Sequence, residues 1–489
     1  MHHRIKLFVS LCFILSSAAL AGSREDVIAE LNMSAATEGS ENAHSWRIIF
    51  DGCLEMTQPP QLPNVDLTMN TVWPGMENWS EVSDWSAHNE HMERVFVEAA
   101  NRVLIGFPYG SEHVPDAYQE AGIVAEIGVD GNLHTFDFSY VEMVKAACLW
   151  ATSESYRLFE QGSTDRAIKL LMSELIVLRK FCDREFLKEQ LIFMPMLADS
   201  LKNARDMFYN YREQVTSIQF RTIAKEWIPF LQTGANRLLM PEGDRVVGEA
   251  LVRELFKANG EPDEAKFREI LTDVQADREP ITRFGAAKYW GLVAKVHRGR
   301  DDSLNRLNLI YDDWWRRWKM RTFHPQLLVD TELQKSNPVK YAAVNLIIRD
   351  IEELFLQRDL LTTQINGTAV SAALCGYINH YKVYPSAIKK MYAQLLNRSS
   401  NLDYMRPLEL RTDSDWVLFS YPVGGFHYRK IEKDTNVTTL LGDVVVKAGE
   451  CLLYSVSKDN EDNRGLNVGE DTIIWPPLKT LERSAGLLN

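Results

Sequence analysis

The sequence predicts a mainly helical protein that ends in a small α+β unit. Apolar residues recur at helical spacing from about Ser86 to Met320, and glycine or proline separates the periodic stretches. A second long helical stretch runs from about Val339 to Tyr381. Strand-like segments rich in β-branched and aromatic residues follow Pro407. These observations together predict an antiparallel helical domain followed by a long helix and a small antiparallel sheet.

The first residues have the pattern of a secretory signal peptide. Arg4 and Lys6 precede a short apolar core from Leu7 to Leu15, and Ala19-Leu20-Ala21 fits the small-x-small cleavage rule. The apolar core is too short to span a bilayer, and no later segment is long and apolar enough to do so. We therefore expect a secreted or periplasmic protein with no membrane span once the signal peptide, residues 1–21, is removed.

The chain is acidic and poor in cysteine. Its formal net charge is −13, and loss of the two basic residues of the signal peptide, which has no acidic residue, leaves −15. This balance argues against a nucleic-acid partner, which would favour a basic surface. Five cysteines remain after Cys12 is lost, and their scattered spacing fits neither a disulfide framework nor a zinc site.

Residues 22–84 lack clear periodicity, so we expect a loop-rich linker and lead-in segment there. Pro59-Pro60-Gln61-Leu62-Pro63 should form an extended, rigid piece of it.

The helical domain is expected over residues 85–330. Pro195 should kink its third helix, and the short links between helices favour antiparallel packing. The helical stretches predicted in this domain are Phe138–Phe159, Asp165–Phe181, Phe186–Tyr211, Ser217–Leu231, Asp244–Ala258, Asp263–Val274, Ile281–Val296 and Ser303–Arg321.

An α+β domain is expected over residues 338–482. Pro325 and Pro338 disfavour helix at the residues before them, which suggests a boundary in front of the long helical stretch. Gly424-Gly425 is typical of a hairpin turn. The predicted strands are Trp416–Tyr421, Phe426–Ile431 and Cys451–Val456.

The C-terminal region carries a series of motifs with known counterparts. Tyr377 and the pair Tyr384-Pro385 stand at the end of the long helical stretch, Tyr454-Ser455 ends a strand, and Trp475 closes the region. These residues resemble the soluble domain of type II secretion major pseudopilins, over less than a third of the chain. The resemblance implies a long helix, a small sheet and a closing loop that binds calcium. The whole layout also looks like a group of uncharacterised exported bacterial proteins, a likeness that brings no activity with it.

The same region departs from that family in two respects. The helical turns from Asn345 to Leu361 carry several charged residues, which would be costly in lipid, so the membrane helix of the pseudopilins is not expected here. Ser457 and Asn460 replace the usual loop glycines. The fold can therefore be shared without the filament role.

The loop after the last predicted strand is the one site that the sequence suggests. It is dense in carboxylates and amides, which suit a hard cation such as calcium. Asp459 stands where the resemblance implies a ligand, and Asp471 could close the loop from its far side. Asp462 and Glu470 are further candidates. The sequence therefore predicts a calcium site formed by Asp459, Asp471, Asp462 and Glu470.

No catalytic residue is predicted. The chain has no Gly-x-Ser-x-Gly, no His-Glu-x-x-His and no phosphate-binding glycine loop. We expect an exported, non-catalytic binding or assembly protein of the cell envelope, whose partner is a protein or another envelope component. The alternative is a secreted hydrolase with its site between helices of the N-terminal domain.

Export can be tested directly. We expect signal peptidase to cleave after Ala21, because the small-x-small motif ends there. Mass spectrometry of the protein from its native host should show a mature chain that begins at Gly22. A cytoplasmic form that retains residues 1–21 would contradict the prediction.

Overall fold

Helices make up most of the protein, and a small antiparallel sheet lies near its C-terminus, in agreement with the predicted class. The computed structural model describes residues 23–34, 39–63, 65–232, 237–276, 282–320, 324–388, 426–456, 462–468 and 471–488. The predicted signal peptide, residues 1–21, lies outside these ranges. Among the described helices, none is both long and apolar enough to cross a bilayer.

The helices described are α1 (Arg24–Leu31), α2 (Trp46–Glu55), α3 (Trp79–His88), α4 (His91–Ala100), α5 (Asp116–Glu120), α6 (Tyr140–Glu160), α7 (Thr164–Phe181), α8 (Leu187–Asn210), α9 (Ser217–Thr222), α10 (Ile228–Phe230), α11 (Gly243–Glu254), α12 (Glu264–Ala276), α13 (Arg283–Val293), α14 (Arg300–Trp318), α15 (Ala342–Ile347), α16 (Glu352–Tyr381) and α17 (Leu478–Ser484). The strands are β1 (Glu126–Ile127), β2 (Phe136–Asp137), β3 (His427–Lys430), β4 (Thr435–Thr438), β5 (Asp443–Val446), β6 (Cys451–Val456) and β7 (Asp471–Trp475).

The helical periodicity between Phe138 and Arg321 located the helices correctly. Each predicted stretch there corresponds to a helix, or to a run of helical turns in the case of α9, a π-helical turn and α10. The α6–α7 link is a tight turn in which Gly162 adopts φ 73°, a conformation that favours glycine. Helix α8 is continuous through Pro195.

The linker expected over residues 22–84 instead contains helices. Helices α1 and α2 lie in this segment, and Val27, Leu31 and Phe50 are buried in the main hydrophobic core. Both helices are short, at eight and ten residues, so each offers too few turns for a periodic pattern to stand out. Tertiary packing therefore orders a segment that the sequence pattern did not mark as helical.

The long helix predicted from Val339 to Tyr381 is divided in two. Helix α15 ends at Ile347 and α16 begins at Glu352. Asp350 stabilises the start of α16, because its Oδ1 accepts a hydrogen bond from the Glu352 backbone amide at 2.9 Å. An aspartate that bonds to nearby backbone competes with continuous helix and favours a helix start.

Helix α16 is buried on nearly all sides between Thr363 and Tyr377. It packs against α8, α9, α10 and β7. Gly367 is required where the helix meets the sheet, because a Cβ atom there would lie 2.7 Å from Cγ2 of Ile474. The sequence signal for this helix was correspondingly strong, since few of its turns face water.

The C-terminal sheet has the order β3-β6-β7, and β4 and β5 form a separate hairpin. The strand predicted over Cys451–Val456 is β6, and the one predicted over Phe426–Ile431 contains β3. The two strands are antiparallel, with His427 opposite Tyr454. The predicted strand Trp416–Tyr421 and the turn at Gly424-Gly425 lie outside the described residues.

One hydrophobic core joins the helical region to the C-terminal region. It extends from Val27 to Trp475 and includes α16. Asp206 of α8 contributes a buried polar contact between the two regions, since its carboxylate accepts hydrogen bonds from Arg483 at 2.6 and 2.7 Å and from Tyr156 at 2.7 Å. The domain boundary expected between residues 330 and 338 stays a prediction, with core residues on both of its sides.

Glu174 provides a test of how burial affects stability. Its carboxyl group lies fully buried among α6, α7 and α8, where Oε1 accepts hydrogen bonds from Ser200 at 3.0 Å and Thr152 at 3.3 Å. Burial raises its pKa from 4.5 to about 8, and the two hydroxyl groups offset this only in part. Between these two pH values the folded chain keeps a proton that the unfolded chain has released.

We therefore expect the stability to fall as the pH rises from about 5 to about 8. Glu174→Gln keeps the oxygen acceptor but has no proton to lose, so its free energy of unfolding should depend less on pH. Urea unfolding at several pH values measures both slopes, with Glu142→Gln, at an exposed position of α6, as the matched control. Equal slopes for the parent and Glu174→Gln would show that Glu174 is ionised in the folded protein.

Candidate functional site

The structure describes two of the four predicted calcium ligands. Asp471 is the first residue of β7 and is completely buried. Its Oδ2 accepts a hydrogen bond from the backbone amide of Gly465 at 2.8 Å. Gly465 has φ 67° and lies against the ring of Tyr454, with room for no Cβ atom. Asp471 thus fixes the returning loop to the edge of the sheet.

The side chain of Asp462 is 45% exposed and contacts different partners. Its Oδ1 accepts hydrogen bonds from the Tyr454 hydroxyl at 2.9 Å and the Arg464 amide at 2.8 Å, and its Oδ2 lies 3.4 Å from Nδ1 of His427. Partial burial would raise the pKa of Asp462, but the hydrogen bonds outweigh it and hold that pKa below its ordinary value. The carboxylate is therefore ionised at neutral pH.

Asp459 and Glu470 lie outside the described residues. Within the described ranges, no three histidine, cysteine, aspartate or glutamate side chains are placed to hold a metal ion together. Asp462 and Asp471 both accept hydrogen bonds from the protein, so they close the loop by direct contacts. The calcium site stays a prediction that depends on Asp459 and Glu470 as well.

A cleft of about 580 Å³ lies at the other end of the chain, and no pattern in the sequence predicted it. We call it the N-terminal cleft. Helix α1, the start of α2 and the loop before α5 form its walls. The residues that line it are Glu25, Ile28, Ala29, Asn32, Glu41, His44, Trp46, Arg47, Gly106, Pro108, Glu112 and His113.

Two side chains, Arg24 at the start of α1 and Asn32 just after its end, attach the α1 wall of the cleft to the rest of the protein. Arg24 donates to both carboxylate oxygens of Glu112 at 3.1 Å, to the backbone oxygen of Ile127 at 2.8 Å and to Glu126. Asn32 forms a reciprocal pair with the backbone of Tyr109, at 2.9 and 2.8 Å. The Asn32 amide therefore pairs with the Tyr109 backbone in the way that a neighbouring strand would. These bonds hold α1 at a fixed distance from the opposite wall of the cleft.

His44 and Trp46 occupy the inner part of the cleft. The ring of His44 packs directly on Gly106, where φ is 67° and a Cβ atom would collide with the imidazole. Trp46 is 6% exposed and has the guanidinium of Arg47 5.0 Å from its ring centre. Glycine at position 106 is therefore needed both for its backbone conformation and for the space that His44 uses.

Acidic side chains predominate around the opening. Glu25, Glu41 and Glu112 line it, and Arg47 is the basic residue of the lining, 3.8 Å from Glu41. Partial burial would raise the pKa of Glu112, but hydrogen bonds from Arg24 outweigh it and leave that pKa below its ordinary value. The pKa of Glu25 is also lowered, by hydrogen bonds from its own backbone amide and from Ser23. Because Arg24 pairs with Glu112 and Arg47 lies near Glu41, the opening carries a small net negative charge at neutral pH.

A buried polar network supports the cleft from behind. Glu189 of α8 accepts hydrogen bonds from Tyr109 at 2.6 Å, Tyr140 at 2.5 Å and Arg184 at 2.8 Å. Arg184 is 1% exposed, and its guanidinium lies 4.0 Å from the ring centre of Tyr109. Because these groups are out of water and bonded to one another, the loop that contains Tyr109 has little freedom to move.

The cleft could hardly be predicted from the sequence. Its residues come from two segments about sixty positions apart, and neither segment shows a known motif. The one available signal was the pair of histidines, His44 and His113, near glutamates and glycines. That composition is common in surface loops, so it could not have nominated a site.

Comparisons with known proteins add no identification. No protein-family model, curated protein or solved structure matches this chain. The resemblance to pseudopilins thus depends on the residues of the C-terminal region alone, and any functional conclusion depends on the geometry of the protein itself.

Proposed function

We propose that this protein is an exported, non-catalytic binding protein of the cell envelope, and that its ligand occupies the N-terminal cleft. The observation that carries the proposal is the cleft itself, which has a rigid wall, an apolar interior and an acidic opening. Binding sites for small molecules are typically concave and largely apolar, with a few fixed polar groups. The interior of the α6–α7–α8 bundle, in contrast, is filled by buried side chains.

The lining selects a ligand class. Ile28, Ala29, Trp46 and Pro108 offer apolar and aromatic contact. The three glutamates face Arg47 and the Arg24 guanidinium that pairs with Glu112, so a small excess of negative charge favours a positive charge at the opening. A small amine that carries an apolar or aromatic group fits both features. An aromatic ring stacked near Trp46 would add to the affinity.

We expect phenethylamine to bind in the cleft and phenylacetate to bind much more weakly, because the two differ mainly in the sign of their charge. Ala29→Trp should block binding, since Ala29 is exposed in α1 and lines the cleft. Ala265→Trp, on the exposed side of α12, is the matched control. Isothermal titration calorimetry measures the binding of both probes to the parent and to each variant.

Equal affinity for both probes, or binding by Ala29→Trp that equals that of the parent, would contradict the proposed site. The hydrolase alternative has its own test. Turnover of chromogenic esters or peptides by the purified protein would overturn the non-catalytic proposal.

The proposal includes a pseudopilin-like C-terminal domain stabilised by calcium. Asp459, Asp462, Glu470 and Asp471 would hold the ion, which would neutralise carboxylates brought together by the loop. The complete burial of Asp471 supports this part of the proposal, because a bound cation would stabilise a carboxylate that is out of water. The bonds that Asp462 already makes to Tyr454 and Arg464 limit what it can offer to an ion.

Calcium at a hundredfold excess over its dissociation constant should stabilise the protein by about 2.7 kcal/mol, because it would bind the folded state alone. We therefore expect a higher melting temperature with calcium than with chelator. Asp459→Asn should lose this difference, and Asp434→Asn, an exposed aspartate of the same region, should keep it. Equal melting temperatures of the parent in both conditions would show that the loop needs no ion.

A further inference from the structure

A short stretch of the chain has a charge opposite to that of the whole. Residues 281–300 contain five basic residues and no acidic residue, although the chain carries −13 in total. The five are Arg283, Lys288, Lys295, Arg298 and Arg300. Arg283 and Lys288 lie in helix α13, Lys295 and Arg298 lie in the turns that follow it, and Arg300 begins α14, so the local positive charge is concentrated on α13 and its C-terminal link.

The same element exposes large apolar side chains. Phe284 is 83% exposed, Leu292 and Val296 are each 57% exposed, and Tyr289 is 49% exposed. Their spacing of three to five residues puts them on one side of the helical turns. Lys288 and Lys295 are exposed on the same side. We call these six residues the basic apolar face.

The opposite side of α13 is fixed to the protein. Ala286, Trp290 and Val293 are buried there, and the Trp290 indole donates to Oε1 of Gln275 in α12 at 2.8 Å. Gly291 is buried against α12, where a Cβ atom would require the Arg268 side chain to shift. The helix therefore cannot rotate to bury its outer face, which stays in solvent.

The charges of this face are largely available for a partner. Arg283 lies 2.8 Å from Asp273 and is partly neutralised. Lys288 and Lys295 form no ion pair with any residue in the described ranges. Helices that lie in a membrane interface have this arrangement, with apolar side chains and unpaired ammonium groups on the same side.

We propose that the basic apolar face docks the protein on an anionic lipid surface. Phe284, Leu292 and Val296 would enter the boundary between headgroups and acyl chains, and Lys288 and Lys295 would contact anionic headgroups. A lipid surface is flat and extended, so it can accommodate a side chain that protrudes as far as that of Phe284. The inference takes from the proposed function only the location in the cell envelope, and it does not depend on what the cleft binds.

Vesicle sedimentation with the purified mature protein tests the proposal. The protein should bind phosphatidylcholine vesicles that contain phosphatidylglycerol, should bind pure phosphatidylcholine far less, and should dissociate as salt is raised. Lys288→Ala should weaken binding about fivefold, which corresponds to about 1 kcal/mol for one basic residue near such a surface. Lys433→Ala, at an exposed lysine of the C-terminal region, should have no effect.

The apolar contribution has its own pair of variants. Phe284→Glu with Leu292→Glu should abolish binding. Leu328→Glu with Leu440→Glu should leave it unchanged, although these two leucines are 90% and 87% exposed. Circular dichroism checks that both double variants are folded. If the Phe284→Glu, Leu292→Glu variant is unfolded, a Phe284→Ser, Leu292→Ser variant replaces it.

Two results would overturn the proposal. One is failure of the parent to bind vesicles with phosphatidylglycerol, and the other is undiminished binding by the folded Phe284 and Leu292 variant. Sedimentation velocity distinguishes a protein interface from a lipid one. A parent dimer that the same variant dissociates, without vesicle binding, would assign the face to a second copy of the chain.

Discussion

The structure depends on the need to hydrogen-bond the polar groups that α8 carries into the core. A buried polar side chain without a partner costs about 1–3 kcal/mol, and a buried charge costs more. Helix α8 buries Glu189, Ser200, Arg205 and Asp206. Each of these residues is bonded to a different part of the chain, so α8 determines where distant segments must meet.

The partners of these four residues come from nearly the whole length of the chain. Glu189 bonds the loop at Tyr109 behind the N-terminal cleft, and Ser200 bonds Glu174 of α7. Arg205 donates to Gln364 and to Thr368 of α16, each at 2.6 Å, and Asp206 bonds Arg483 of α17. Burial lowers the pKa of Arg205 to about 9, which shows how much this position costs a charged group. The hydrogen bonds between α8 and α16 therefore form despite the cost of burying the Arg205 guanidinium.

One of the two proposed functional surfaces lies where this network ends. The N-terminal cleft has a wall that is rigid because Tyr109 reaches Glu189, so its shape is set before any ligand arrives. The basic apolar face of α13 is rigid for another reason, since Trp290 and Gly291 fix the helix on α12. Both surfaces are thus pre-organised, which lowers the conformational cost of binding.

The sequence alone determined the helical class, the positions of the helices between Phe138 and Arg321 and the strand Cys451–Val456, because these signals are periodic and local. It missed α1 and α2, whose few turns are ordered by contacts with residues far along the chain, and it joined α15 to α16 because the Asp350 restart leaves the apolar pattern unbroken. Only the tertiary structure brought Arg24 to Glu112 and His44 to Gly106. A cleft is made by segments that pack together, and packing has no local signal in the sequence.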